Sequence, residues 1–518
     1  MATGARKVER PRTALAVVSL VLFLTFLDNT IVSVALADVQ TRLHAGVTAL
    51  QWVIGGYALS FAALMLPFGL LGDQVGRRRV MAGGVALFAA GSLLGALAPS
   101  AGVLIAARVI MGVGAAASEP GTLSMVRHLF PDPAERATAL GAWVAVTGLA
   151  LAAGPVLGEL LVAVWSFRGV FVANVVLAAA AMAGIYRWLP ENADPTGGRP
   201  KTASLVLGPA ALAMATGAAV DGESAGYGHW LVVALFAGAA AAGALFVLGE
   251  RGAAEPILDL QQFRQRAVGG ANAMAVAASF ATFGLFFCVP LYLAEVGTAS
   301  GYTLAGDFAL LTVAMTLTSG LTGRWVARRG PRLPAVVGSV VAAIGIVATE
   351  INLTPQAGVT RIGWTLALAG AGLGTVFVPV TSVAIAAAPG RRSGRAASTI
   401  NTSRELGALA GVAVLGAIIN GQLTVSLTRR LTALHIPPAI RSMVVTGVTT
   451  GQTSAGYGSD PRLQALIATV ERPAYAAFRH GLDLSLGVGV AFLLVAALGV
   501  AFTFPGSGRP SAVSGPAQ

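Results

Sequence analysis

Residues 69–79, with the sequence GLLGDQVGRRR, form a short basic turn between two apolar stretches at 50–68 and 80–98. Each stretch approaches the roughly 20 residues that an α-helix needs to cross the hydrocarbon core of a bilayer. A connection this short makes the two spans antiparallel neighbours. Its three arginines place the turn on the cytoplasmic side, because basic residues in short loops remain there.

Apolar stretches of this length recur along the 518 residues, of which 55% are hydrophobic and only 11% charged. Soluble domains carry about 25% charged residues, so the composition predicts an all-α integral membrane protein. We count fourteen candidate spans. They lie near 13–37, 49–71, 80–98, 103–126, 138–162, 168–189, 203–220, 229–249, 268–293, 303–324, 333–350, 362–388, 405–423 and 483–504.

The basic residues are distributed unevenly between the two sides of the predicted membrane. The short loops on the side opposite the basic turn contain few basic residues. Within these loops or at their edges, the only ones are Arg42, Arg168 and Arg361. This bias predicts a multi-pass protein of the plasma or inner membrane with both termini cytoplasmic. The net charge of +12 therefore reflects topology, and we expect no nucleic-acid partner.

The N-terminus imitates a cleavable signal, because four basic residues precede an apolar run. We favour a retained first span, since the run is longer than a usual signal core and is interrupted by Asp28. The single cysteine, Cys288, excludes an internal disulfide. The five histidines lack metal-ligand spacing, and no nucleophile–base pair or phosphate loop appears. We expect neither a metal, nor a cofactor, nor an enzyme.

The second half of the chain repeats the basic turn. Residues 320–332, GLTGRWVARRGPR, again follow the second span in a group of six, although the acid of the first copy is missing. Two matching units predict the parallel repeat of many secondary transporters. We place one six-helix bundle at 1–190 and the other at 268–504.

Two of the fourteen spans remain outside these bundles. They form an inserted pair with cytoplasmic linkers over 191–267, a range bounded by polar, proline-containing segments. Within the second bundle, 424–482 is predicted to be a large external loop. The Gly/Pro/Ser-rich tail, 505–518, is predicted to be disordered and cytoplasmic.

Ionisable groups inside a span are expensive and usually mark a pathway or a partner, and three of them are the main candidates here. Asp28 lies midway along the first span. Burial disfavours its charged form, so it could exchange a proton for a solute; the alternative is a hydrogen bond between packed helices. Arg108, in the fourth span, keeps its charge and needs a partner, which could be Asp28, a substrate or a structural acceptor. Glu119 is either functional or a carboxylate that reaches the cytoplasmic interface.

The fifth span combines small residues with a proline. Small residues let helices approach closely, and proline frees a backbone carbonyl and bends the helix. We therefore expect a pivot or seal where this span crosses another helix. The residues of this helix-crossing motif are Gly148, Gly154, Pro155 and Gly158.

Other polar residues in or near spans are weaker candidates for lining a substrate path. Asp307 lies near an outer helix end, where a solvated rim charge is the competing interpretation. The remaining candidates are Asn29, Tyr292 and Asn401.

These segments together resemble the major facilitator superfamily, specifically its fourteen-span drug:proton antiporters. Residues 69–79 resemble the signature loop between the second and third spans, and 27–39 resemble the first-span motif of this branch. Residues 107–116 and 148–159 are similar to its fourth- and fifth-span motifs, and 393–416 also matches the branch. The fifth-span motif usually ends in two glycines; the second is Glu159 here.

The resemblance implies two six-helix bundles plus two inserted helices, and it implicates Arg108 in proton transfer. It also implies a conformational latch in which Asp73 engages the thirteenth span near Arg404. An acid at a helix N-terminus is favourable by roughly 0.3–1 kcal/mol, which suits a contact broken in each cycle. The other latch residues are Gly69, Gly76, Arg77 and Arg78.

The expected function is proton-coupled export of amphipathic drugs or antibiotics, cationic or aromatic, by a protein that works as a monomer. The alternative is a lipid or cell-envelope precursor translocase of the same fold, in which the external loop docks a partner. Deleting residues 430–478 separates the two, because drug efflux should survive the deletion and envelope export should not. Solute uptake and a non-transporting membrane receptor or enzyme are less consistent with the motifs.

Overall fold

The computed structural model describes residues 10–45, 47–191, 202–226, 228–251, 256, 260–295, 301–353, 359–387, 393–433, 435–437, 441 and 461–505. All regular structure in these ranges is helical. The helices are α1 (Pro11–Leu43), α2 (Val47–Val75), α3 (Arg77–Ala96), α4 (Ala101–Leu129), α5 (Pro133–Val164), α6 (Phe167–Trp188), α7 (Thr202–Ala225), α8 (Trp230–Arg251), α9 (Leu260–Arg264), α10 (Arg266–Glu295), α11 (Gly301–Arg329), α12 (Arg332–Asn352), α13 (Val359–Ala387), α14 (Ser393–Ala433) and α15 (Pro461–Thr503).

Local sequence explains where several helices begin. In hydrocarbon every backbone polar group must be satisfied internally, so long apolar segments become helices. α5 begins at Pro133 after Asp132, whose carboxylate accepts hydrogen bonds from the backbone of Ala134 and Glu135 at 2.9 Å. Gly76 has φ of +121°, a conformation that favours glycine, and it separates α2 from α3.

Twelve helices among the described residues are long and apolar enough to cross a bilayer. The fourteen-span prediction is therefore met only in part. At 203–220, the apolar segment Ala203–Ala218 of α7 is shorter than the other spans. At 303–324, α11 is 29 residues long but rich in threonine, and it also contains Asp307 and Arg324.

Two helices in the second half extend beyond the spans predicted for them. α14 runs from Ser393 to Ala433, well beyond the span predicted at 405–423, because no proline interrupts it. α15 begins at Pro461, before its apolar segment at Phe478–Thr503, which matches the span predicted at 483–504. Hydropathy windows miss helices whose ends are polar.

The helices pack as two groups with matching contacts. α1 to α6 pack on one another, and so do α10 to α15. Between the groups, α5 lies against α11 and α13, and α14 lies against α2 and α4. The second helix of each group thus contacts the fifth helix of the other. α7 and α8 form a pair beside α2, and α7 also reaches α14.

Candidate functional site

A buried polar network lies inside the first group of helices. Asp28 of α1 is fully buried, and its carboxylate forms an ion pair with Arg108 of α4, which is 1% exposed. Asn174 of α6 donates a hydrogen bond from its amide to the other carboxylate oxygen at 2.7 Å. Three helices therefore meet at one carboxylate.

Arg108 has further neighbours on α2. Its Nε donates to the carbonyl oxygen of Val53 at 2.9 Å, and its guanidinium carbon lies 4.4 Å from the ring centroid of Tyr57. The phenol of Tyr57 donates to the carbonyl of Thr25 at 3.0 Å. Of the partners that the sequence left open for Arg108, the structure shows both Asp28 and a structural acceptor, the carbonyl of Val53. It adds Asn174 and Tyr57, which the sequence analysis did not single out.

The burial of this network makes it sensitive to charge. Desolvating two ions is expensive, and removing one partner of a buried pair typically costs about 3–5 kcal/mol, because the other charge is left uncompensated. Protonating Asp28 has the same electrostatic consequence as removing its charge: Arg108 keeps only the Val53 carbonyl and the Tyr57 ring. The packing of α1, α2 and α4 around the network therefore depends on the charge of Asp28.

A small cavity lies between the two groups of helices. Helices of both groups contribute to its walls, with aromatic side chains beside three charged ones. The volume of the cavity is about 40 Å³, which gives room for about three waters. The lining includes Glu119 of α4, Trp143 of α5, Phe377 of α13, and Asn401, Arg404 and Glu405 of α14.

Glu119 belongs to this cavity and not to the Asp28 network. It is 2% exposed, and its Oε2 has no hydrogen-bond partner among the described residues. Asn401 is 1% exposed, and both polar atoms of its amide are likewise unpaired there. Eleven residues along α4 place Glu119 and Arg108 on the same face but about 16 Å apart along the helix axis, so the two side chains belong to different sites.

The basic turn between α2 and α3 is held by local ion pairs. Asp73 pairs with Arg77 at 2.8 Å, and both side chains are buried. Glu191, which follows α6, accepts a hydrogen bond from the backbone of Arg78 at 3.2 Å. A Cβ at Gly76 would approach the same carboxylate to within 2.5 Å. The end of α6 is therefore fastened to this turn.

The contact of Asp73 with the thirteenth span stays a prediction, and Arg404 itself does not line the small pocket at this turn. Gly69, on α2, lines the same small pocket as Arg77. Arg404 instead reaches into the cavity and donates a hydrogen bond to the hydroxyl of Thr381 on α13. Arg404 lies eleven residues after the start of α14 at Ser393, so it is not at the helix N-terminus that the resemblance implied for the latch.

The glycines of the fifth-span motif lie at two helix crossings. A Cβ on Gly154 would lie 2.8 Å from the Cβ of Thr30, and one on Gly158 would lie 2.9 Å from the carbonyl of Ile31, both on α1. A Cβ on Gly148 would meet Thr316 of α11 at 2.9 Å. α5 therefore packs closely against its own group and against the other. Pro155 lies within α5, and its side chain is outside the described residues.

The weaker candidates for lining a substrate path do not lie together in the structure. Asn401 lines the cavity. Tyr292 does not: it is buried, stacks on Phe478 at 6.3 Å between ring centroids, and so packs against α15. Asn29 is partly buried on α1 and is not among the cavity-lining residues. Asp307 lies in α11, and its side chain is outside the described residues. Within the described ranges, no cluster of three His, Cys, Asp or Glu could hold a metal.

Residues 18–412 match the family model described as Major Facilitator Superfamily. The chain belongs to this superfamily. The family resemblance drawn from the sequence motifs is therefore confirmed, and because the superfamily consists of transporters, the chain is not an enzyme.

Curated relatives cover most of the chain. The multidrug resistance protein Stp of Mycobacterium tuberculosis is 32% identical over 413 residues, which are 79% of this chain and 76% of that protein. The drug efflux pump JefA of the same organism is 31% identical over 508 residues, 96% of this chain and 98% of that protein.

A solved structure supports the superfamily fold. The human organic anion transporter MFSD10 superposes with a TM-score of 0.61 at 16% identity, covering 93% of this chain and 99% of that chain. At this identity the likeness shows the fold alone. The chain is thus an all-helical, multi-pass membrane transporter.

Proposed function

We propose that the chain is a proton-coupled antiporter that exports amphipathic drugs or antibiotics, cationic or aromatic, across the plasma membrane. The names of Stp and JefA support drug export. The observation that carries the coupling is the buried ion pair between Asp28 and Arg108, because a carboxylate inside a transporter is the natural carrier of an exchanged proton.

The exchange follows from competition for one charge state. Protonation of Asp28 from outside weakens its pair with Arg108 and favours the state open to the cytoplasm. Substrate entering from the cytoplasm or the inner leaflet favours proton release and the return outward. The membrane potential drives the cycle, because each charge that crosses gains about 2.3 kcal/mol per 100 mV. Glu119, in the cavity between the helix groups, is proposed as a second proton-coupling residue.

The proposed architecture has fourteen spans, with both termini cytoplasmic, and works as a monomer. Its units are the bundles at 1–190 and 268–504 and the inserted pair over 191–267. The turn at 69–79 serves as the conformational latch, and its buried Asp73–Arg77 pair supports this assignment. The close crossings of α5 supply the pivot, supported by the short approaches of Gly148, Gly154 and Gly158.

Transport by the purified protein tests the proposal. In vesicles with an acidic lumen and enclosed DNA, protons leaving through the protein should drive ethidium inward, which raises ethidium fluorescence. A protonophore should abolish this uptake. Asp28→Asn should abolish the pH-driven component and leave downhill ethidium flux.

Asp132→Asn is the matched control, because asparagine also caps a helix N-terminus and Asp132 is exposed beyond α4. It should transport at the wild-type rate. Wild-type coupling in Asp28→Asn would refute the role of this residue. Failure of the wild type to move ethidium, quaternary ammonium compounds or antibiotics in a resistance panel would refute the substrate class.

A further inference from the structure

Arg404 lies in an aromatic corner of the central cavity. Its guanidinium carbon is 5.3 Å from the ring centroid of Trp143 and 5.1 Å from that of Phe377. A cation within about 6 Å of an aromatic face is attracted to the ring by electrostatics. Trp143 is fully buried and anchored, because its indole donates to the hydroxyl of Thr122 at 3.1 Å. These two rings form a preformed site for a positive charge.

Two carboxylates face the same charge. Glu119 and Glu405 both interact electrostatically with Arg404, and they interact with each other. When all three are ionised, the cluster carries one net negative charge. Oε2 of Glu119 and Nε of Arg404 have no hydrogen-bond partner among the described residues. Leaving a buried polar group unpaired costs about 1–3 kcal/mol, so these atoms indicate a site completed by a ligand.

The free volume of the cavity shows what must move before a ligand can bind. The cavity volume of about 40 Å³ holds a few waters, whereas drug-sized ligands occupy pockets of about 300–1,000 Å³. Arg404 is a long, flexible side chain held by the Thr381 hydroxyl and two ring faces. Its withdrawal would open the aromatic corner and leave two carboxylates without a cation.

We propose that Trp143, Phe377, Glu119 and Glu405 form a cage for an organic monocation, and that Arg404 occupies this cage in the substrate-free state. The substrate cation displaces a cation of the protein itself. The cage is built from both groups of helices, α4 and α5 on one side and α13 and α14 on the other, so its occupant is sensitive to their relative movement. This inference rests on the proposed drug export and specifies its substrate class.

Binding of tetraphenylphosphonium to the purified full-length protein, measured by calorimetry at fixed pH without a gradient, tests the cage. Arg404→Gln should tighten binding at least tenfold, because the competing cation is gone while the amide can still bond to Thr381. Arg404→Lys keeps the charge and should stay within about threefold of wild type. The neutral analogue triphenylphosphine oxide should not distinguish these proteins.

The opposite result is equally defined. If Arg404→Gln weakens tetraphenylphosphonium binding, or abolishes binding of the anion 8-anilinonaphthalene-1-sulfonate, then Arg404 is a ligand contact and the proposal is overturned. If Arg404→Gln does not fold, Phe377→Leu in the wild-type protein gives the second measurement: at least fivefold weaker tetraphenylphosphonium binding is expected, and unchanged affinity overturns the cage.

Failure here is separable from failure of proton-coupled export. The binding assay uses no gradient and leaves Asp28 intact. Asp28→Asn should lose pH-driven transport, yet it should show the same tightening of tetraphenylphosphonium binding when Arg404→Gln is added. A protein that couples ethidium to protons but shows no tightening keeps the export function and loses the cage.

Discussion

Removing the charge of either Asp28 or Arg108 alone should destabilise the protein more than removing both charges together. In Arg108→Met, the buried carboxylate keeps only the hydrogen bond from Asn174. In Asp28→Asn, the guanidinium keeps the Val53 carbonyl and the Tyr57 ring. Each single change is expected to cost about 3–5 kcal/mol, because an uncompensated charge remains buried, whereas replacing both charges can be near neutral.

The magnitude to be measured is the coupling free energy of a double-mutant cycle. We expect its magnitude to be at least about 3 kcal/mol, the upper end of the usual range for residues in contact, because the losses of the two single variants do not add in the double variant. The assay is the free energy of unfolding of the purified protein in detergent, titrated with sodium dodecyl sulfate. Wild type, the two single variants and the double variant are compared under one set of conditions.

The same helix supplies the control cycle. Asp38 and Arg42 pair at 2.8 Å on α1, but their side chains are 18% and 57% exposed. Asp38→Asn with Arg42→Met should show a coupling of no more than about 0.5 kcal/mol, as for solvated pairs four residues apart on a helix. Additivity within about 0.5 kcal/mol in the Asp28–Arg108 cycle would refute the reasoning.

Two glycine substitutions give further predictions. Gly158→Ala should lower the unfolding free energy by about 1–3 kcal/mol through overpacking, because its Cβ would meet the α1 backbone at 2.9 Å. The same variant should slow ethidium efflux. Gly102→Ala, with open space around the new Cβ, should match the wild type. Gly76→Ala combines positive φ with a 2.5 Å approach to Glu191 and should cost about 1–3 kcal/mol in the same detergent titration. Gly72→Ala on the adjacent turn, whose Cβ would have no neighbour closer than 4.0 Å, should be neutral, and equal losses in the two variants would contradict the argument.

Much of the fold could be predicted because the membrane makes hydropathy informative. The basic turn at 69–79 predicted the antiparallel pair α2 and α3, and the repeated turn at 320–332 predicted the matching contacts of the two helix groups. The limits of α14 and α15 could not be predicted in this way. A hydropathy window scores side chains, whereas a helix continues until its backbone is interrupted, and the polar residues at the start of α14 do not interrupt it.

The site could likewise be predicted only in part. An acid and an arginine in apolar spans need partners, so Asp28 and Arg108 were recognisable from the sequence as candidate site residues. Asn174 was missed because a lone amide in an apolar span has no periodic signal. Arg404 was assigned to the latch on family resemblance, since only three-dimensional packing shows that its position, three turns into α14, faces Trp143 and Phe377.

The most direct measurement of the central claim is the number of protons moved per ethidium by Asp28→Asn. Vesicles containing the protein, ethidium and a pH-sensitive dye are diluted into ethidium-free buffer, with the membrane potential clamped. In the wild type, ethidium leaving should carry protons inward and acidify the lumen; in Asp28→Asn, ethidium should leave without acidification. Acidification by Asp28→Asn at the wild-type ratio of protons to ethidium would show that another group carries the proton.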